Sequence, residues 1–201
     1  MRFVVLVALA VATATAAATA TRAWGRARII WISVSAILAT ACGVLVVSEV
    51  RWQNSTAAYT QLARDLTGNP SVSVSCDRLT GWQLTWSPPG RVHHTGEGEL
   101  TATAHLDWPT CRSLNTWTAN PTTPPDQDTV AALGVLVHEI AHLDGIRDET
   151  LATCWAIANI SEAAEILGAP PPVTANLPGQ LEQVVDGWPA AYRGTCPPLP
   201  T

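Results

Sequence analysis

Residues 138 to 149 read HEIAHLDGIRDE and place two histidines four positions apart, with a glutamate directly after the first. On an α-helix, residues i and i+4 project from one face, so His138 and His142 can reach one metal ion from adjacent turns. Glu139 is turned about 100° away from His138, which leaves it close enough to hydrogen-bond a water on that ion without ligating it. The stretch therefore predicts two metal ligands and a neighbouring general base.

The helix that carries these residues is expected to be buried. We expect it to begin at about Asp128 or Thr129, either of which can act as N-cap, and to end at Leu143. Gly145, just after that end, is the residue type that favours helix termination. Its side chains are apolar nearly all round, as in a helix packed on most sides. Buried histidines and carboxylates are costly without a partner, and a metal ion satisfies all of them together. The alternative is a pair of core histidines bonded to backbone carbonyls.

With its HExxH pattern, the stretch resembles the zincin metallopeptidases, and the resemblance covers this helix and the one after it. It implies Zn²⁺ held by His138, His142 and a third ligand, with Glu139 as the base that activates the metal-bound water for attack on a peptide carbonyl. A metzincin-like reading, HExxHxxGxxD, makes Asp148 the third ligand. Metzincins also place a methionine turn beneath the metal, and the only methionine here is Met1.

A gluzincin-like reading takes the third ligand from the following helix. There ETLATCWA (149–156) matches ExxA, with Glu149 as ligand and Ala152 as the small residue that lets the helices pack closely. Under this reading Asp148 is the N-cap of the second helix. We favour Glu149 and keep Asp148 as the alternative.

The first fifty residues predict a membrane-anchoring region. Residues 29–47 contain no charge and are long enough to cross a hydrocarbon core of about 30 Å as a transmembrane helix. A second apolar run covers residues 3–20, and the arginines between the two runs favour a cytoplasmic loop, which places the C-terminal part outside the cell membrane. The first run also fits a cleaved signal peptide. We expect a juxtamembrane helix and linker over 51–70 and an extracytoplasmic domain over 71–201.

Four cysteines fall in the part expected to be exported: Cys76, Cys111, Cys154 and Cys196. An even number of cysteines in an oxidising compartment predicts two disulfides, in any of three connectivities. The fifth, Cys42, lies in the apolar run.

The remaining pattern predicts an α+β fold. Alternating polar and apolar residues indicate a small antiparallel sheet with strands at 71–76, 82–86 and 100–106. LTATAHL (100–106) is the candidate edge strand for an extended substrate. His93 and His94 are expected in a loop, exposed, and 115–127 is also expected to be a loop. Further helices are expected over 148–167 and around 180–185.

Composition and charge narrow the function. The net charge is −5, and no basic stripe is present, which argues against nucleic-acid binding. Residues of the right type to stabilise an oxyanion are Tyr192, His105 and Arg147, and no spacing selects one. The sequence thus predicts a membrane-anchored zinc peptidase that acts on a peptide or protein. The alternative is a non-catalytic, membrane-anchored interaction module with a structural zinc.

Overall fold

The computed structural model describes residues 26–77, 89–94 and 100–197. The chain divides into two compact units, Met1–Asn54 and Ser55–Thr201, and the second is called the C-terminal unit below. The described elements mix helices with one small sheet, which confirms the predicted α+β class.

Helix α1 (Arg26–Thr67) opens the described chain and continues into the C-terminal unit. Across the described ranges, no helix combines the length and the apolar character needed to cross a membrane. The predicted transmembrane helix over 29–47 is therefore not supported. The apolar run at 3–20 lies outside the described residues.

The last turns of α1 belong to the core of the C-terminal unit. Tyr59 and Leu62 are fully buried, and the Tyr59 hydroxyl donates to Asn115 Oδ1 at 2.6 Å. The backbone N–H of Val74 donates to the Thr60 hydroxyl at 3.0 Å, so α1 also holds the first strand of the sheet.

The sheet contains β1 (Ser73–Cys76), β2 (Gly90–His94) and β3 (Leu100–Leu106) in the order β1-β3-β2. β2 pairs antiparallel with β3, but β1 pairs parallel with β3, so the prediction of a purely antiparallel sheet is wrong. The long connection between β1 and β3 contains β2, and a connection of that length lets the chain return in the same direction.

Two further predictions about the sheet are corrected. Residues 90–94 form a strand and not a loop, and β3 lies between two strands, so LTATAHL is not an edge. The strand expected at 82–86 lies outside the described residues, as do the side chains of His93 and His94.

Helix α2 (Trp108–Thr118) replaces the first part of the loop expected over 115–127. Asp107 caps it by accepting from the N–H of Thr110 at 2.9 Å, and Pro109 occupies the first turn, where a missing N–H costs nothing. Leu114 and Trp117 face the core. The Asp–Trp–Pro sequence was a usable helix-start signal.

Helix α3 (Gln127–Leu143) is the centre of the unit, in contact with α2 and with strands β2 and β3. Its N-cap is Asp126, which accepts from the N–H of Thr129 at 2.8 Å, and not Asp128 or Thr129 as expected. The prediction of burial on most sides is confirmed, because nearly every residue from Thr129 to Leu143 is buried.

A tight turn joins α3 to helix α4 (Glu149–Ile166). Gly145 has φ +94°, and the N–H of Ile146 donates to the Ala141 carbonyl at 3.1 Å. This is the left-handed helix ending that glycine permits. Asp148 caps α4 by accepting from the N–H of Leu151 at 2.8 Å, as expected.

After α4, the chain forms the short helix α5 (Pro171–Thr174), helix α6 (Leu177–Val185) and a 3₁₀ turn at Ala190–Tyr192. Helix α6 contacts both α3 and α4. It is longer than the expected 180–185.

The prediction of two disulfides is confirmed, with the pairs Cys76–Cys111 and Cys154–Cys196. The first joins the end of β1 to α2. The second joins α4 to the C-terminal segment, here residues 187–196, across 42 positions of sequence. Cys42 is a free thiol.

Replacing both Cys154 and Cys196 by alanine is expected to lower the free energy of unfolding by about 2–4 kcal/mol, because the open chain gains conformational freedom in the unfolded state. Urea denaturation of the full chain measures this difference. The matched control is Cys42→Ala, which breaks no bridge and should leave the transition unchanged. Equal midpoints for the double variant and the control would contradict the prediction.

Candidate metal centre

Three side chains meet where α3 turns into α4. His138 and His142 come from successive turns of α3, and Glu149 is the first residue of α4. The Nε2 atoms of His138 and His142 are 3.1 Å apart, and Glu149 Oε2 lies 2.9 Å and 3.4 Å from them, respectively. Together these residues form a group that can hold a metal ion.

The structure separates the two candidates for the third ligand. Glu149 points at the histidine pair, whereas the Asp148 side chain is used in capping α4. The difference arises because Asp148 precedes the helix in an extended conformation, while Glu149 already has helical geometry.

A hydrogen bond of His142 fixes which of its two ring nitrogens carries the proton and which is free to accept. Its Nδ1 lies 2.6 Å from the carbonyl oxygen of Ile146. A carbonyl only accepts, so Nδ1–H is the donor, and the neutral ring keeps its lone pair on Nε2.

The same reasoning applies to His138 through Thr153. The Thr153 hydroxyl donates to the Glu149 carbonyl at 2.9 Å. Its proton is therefore used, and it accepts from His138 Nδ1 at 3.2 Å. The neutral His138 ring also keeps its Nε2 lone pair for the cluster.

Burial favours that neutral form. Desolvation lowers the pKa of His138, and the neighbouring His142 adds to the lowering, against the opposite influence of Glu149. The 2.9 Å contact with His138 Nε2 in turn lowers the pKa of the Glu149 carboxyl. Two nitrogen lone pairs and one carboxylate oxygen thus converge with no proton donor between them, an arrangement that a cation stabilises.

Glu139 lies beside the cluster with an unsatisfied carboxylate. It is 6 % exposed, and within the part of the chain that the structure describes its Oε2 atom has no hydrogen-bond partner. Burial, assisted by the charge of Glu149, raises the pKa of Glu139 to about 8. Its carboxylate is therefore a stronger base than that of an exposed glutamate.

Strand β2 starts against this carboxylate. A Cβ added at Gly90 would lie 2.5 Å from Glu139 Oε1, so a larger residue has no room there. The close approach of the strand is what keeps one side of Glu139 dry.

A cavity of about 420 Å³ opens next to Glu139 and His138. Its other walls are mainly apolar and include Val135 of α3, Pro89 before β2, and Trp188. Sequence reasoning missed the last two, because no local pattern indicates that they reach the site.

Aromatic residues of the C-terminal segment cover His138. The Tyr192 ring centroid is 5.3 Å from that of His138, and the Trp188 centroid is 6.3 Å away. The two aromatic rings pack edge to face at 5.8 Å. The Thr150 hydroxyl donates to the Ala191 carbonyl at 3.1 Å, which joins this segment to α4.

The structure brings one of the three oxyanion candidates to the cavity. Tyr192 lines it, and burial raises the pKa of Tyr192, which keeps the hydroxyl protonated as a donor. His105 lies 3.4 Å from Asp77 Oδ1 on the sheet, and Arg147 is exposed. Neither is among the described residues that line the cavity.

Comparisons of the chain with protein-family models, curated proteins and solved structures give no match.

Thr153 is expected to position His138 for metal binding. Thr153→Val keeps the shape but leaves His138 Nδ1–H without its acceptor, and metal affinity should fall about 10- to 100-fold. Competition with a chelator measures the affinity. Thr153→Ser restores the hydroxyl and should recover most of the affinity. If the valine and serine variants bind metal equally, Thr153 has only a packing role.

Proposed function

We propose that this chain is a zinc-dependent peptidase in which His138, His142 and Glu149 hold Zn²⁺. The observation that carries the proposal is the convergence of two Nε2 lone pairs and a carboxylate oxygen beside the buried Glu139, whose Oε2 atom has no hydrogen-bond partner among the described residues. A structural metal site has no use for such a carboxylate, so this observation also disfavours the non-catalytic alternative.

The spacing of the three ligand atoms supports zinc. Tetrahedral Zn²⁺ with ligands at about 2.0–2.1 Å keeps them about 3.3 Å from one another. The atoms of His138, His142 and Glu149 lie 2.9, 3.1 and 3.4 Å apart. Nitrogen and carboxylate donors are also the set that catalytic zinc sites use, with one position left for water or substrate.

In the proposed reaction, zinc held by His138, His142 and Glu149 would supply Lewis acidity, lowering the pKa of water to about 7 and polarising the substrate carbonyl. Glu139 accepts the proton of the attacking water at its free Oε2 atom and transfers it to the leaving amine. Tyr192 donates its protonated hydroxyl towards the carbonyl oxygen as negative charge develops there.

The two disulfides support a location outside the cytoplasm, because such bridges persist in oxidising compartments. We propose accordingly that the substrates are extracytoplasmic peptides or proteins.

Zinc content tests the ligand set. The purified full chain, equilibrated with zinc and desalted, should retain about one zinc per chain. Glu149→Gln should lose most of it, because one of three ligands is gone. Asp148→Asn removes the same charge, keeps an N-cap, and should retain the metal. Loss of zinc in the asparagine variant alone would assign the third ligand to Asp148 and contradict this proposal.

Peptide cleavage tests the base. Glu139→Gln preserves size and leaves the three ligands in place, so zinc content should be unchanged while kcat/KM falls about 10²- to 10⁴-fold. Mass spectrometry of a peptide library measures cleavage, and Glu162→Gln on the surface of α4 is the matched control. If Glu139→Gln cleaves peptides as fast as the Glu162→Gln control, Glu139 is not the base and the proposed mechanism is wrong.

A further inference from the structure

A second cavity, of about 310 Å³, adjoins the one beside Glu139. The two cavities share three lining residues, Pro89, Val135 and Trp188. They therefore form neighbouring parts of one groove, and Val135 lies at the junction.

The groove follows one face of α3. The first cavity contacts this helix at Val135, His138 and Glu139, and the second contacts it at Asp128, Ala131 and Ala132 as well as Val135. Spacings of three and four residues place these positions side by side along the helix. From Asp128 to His138 the helix rises about 15 Å, at 1.5 Å per residue.

That length matches a short extended peptide. An extended chain advances about 3.3 Å per residue, so about four to five residues cover the distance. A single amino acid or a dipeptide is too short to span the groove and fills only the end next to the candidate metal ligands.

The lining indicates what kind of side chain is accepted. Beside Glu139 the walls are Val135, Pro89 and the half-buried Trp188, which offer apolar surface and no charge. An apolar side chain seated there removes that surface from water, whereas a charged side chain loses its hydration without a partner. Glu139 lines the same cavity, and its buried carboxyl group marks the end of the groove where the reacting group lies.

We propose that this groove binds an extended segment of four to five substrate residues along α3, with an apolar side chain in the cavity beside Glu139. The inference rests on the proposed peptidase function and adds its substrate class: internal segments of extended polypeptide with a large apolar residue next to the reacting carbonyl. The first cavity selects the apolar side chain, and the second cavity is reached only by a peptide of sufficient length.

A photoreactive leucine analogue within a hexapeptide tests the groove in the full chain, both zinc-loaded and metal-stripped. Mass spectrometry should locate the adducts on residues 131–138 and 187–192 in both forms. Unlabelled peptides of two to six residues compete for labelling. The potency of these competitors should increase with peptide length up to four or five residues and then stay constant. Replacing their leucine by glycine should weaken competition about 10- to 100-fold.

Two variants separate the two cavities. Val135→Trp fills the junction and should abolish both the leucine preference and the length dependence. Ala131→Trp narrows only the second cavity. The leucine preference should therefore survive, but peptides of three to five residues should no longer compete better than dipeptides. Ile166→Trp, at an exposed position of α4, is the matched control and should change neither.

The outcomes distinguish this inference from the peptidase proposal. Adducts in the groove without hydrolysis of any peptide retain the groove and reject the enzyme. Hydrolysis that shows no leucine preference and is unchanged by tryptophan at 131 and 135 retains the enzyme and rejects the groove. Adducts scattered over the surface also overturn the inference. If Val135→Trp does not fold, Ala131→Trp decides alone.

Discussion

Burial of His138, Glu139 and His142 in an otherwise apolar helix is the constraint on which the C-terminal unit depends. Polar groups removed from water cost several kcal/mol, on the order of 2–7 each, unless they are paired. The turn after α3 supplies a carbonyl for His142, and α4 supplies Thr153 for His138. The same short turn thus ends one helix, begins the next and satisfies the ring of His142, while α4 satisfies the ring of His138. Of the three side chains, Glu139 is the one that keeps a buried atom, Oε2, without a hydrogen-bond partner among the described residues.

The site also depends on parts of the chain that are distant in sequence. Gly90 brings β2 against Glu139, and Trp188 and Tyr192 cover His138. Because α4 carries Glu149 and also Cys154, the bridge to Cys196 links the proposed ligand helix to the segment that forms the cavity wall. The fold therefore links the candidate metal cluster to the wall of the adjoining cavity through a single helix.

Local signals predicted the elements nearest the cluster and the positions of β1 and β3, but failed for helix α2 and for the direction of strand pairing. The apolar pattern with Gly145 located the end of α3, and Asp148 located the start of α4. Helix α2 was missed because threonines and an asparagine obscured a valid Asp–Trp–Pro start. The parallel pairing of β1 with β3 was missed because strand direction depends on which strands become neighbours, a long-range property that alternation of side chains does not encode.

The sequence by itself determined the candidate histidine pair, His138 and His142, and limited the third candidate to Glu149 or Asp148, because all four lie within twelve positions and helical periodicity with one glycine turn brings them close. It also determined the number of disulfides, but not their pairing. Only the tertiary structure decided the rest: that Glu149 and not Asp148 faces the histidines, that Thr153 accepts from His138, and that Trp188 lines both cavities. These outcomes depend on side-chain direction and on packing between distant segments, which spacing along the chain does not specify.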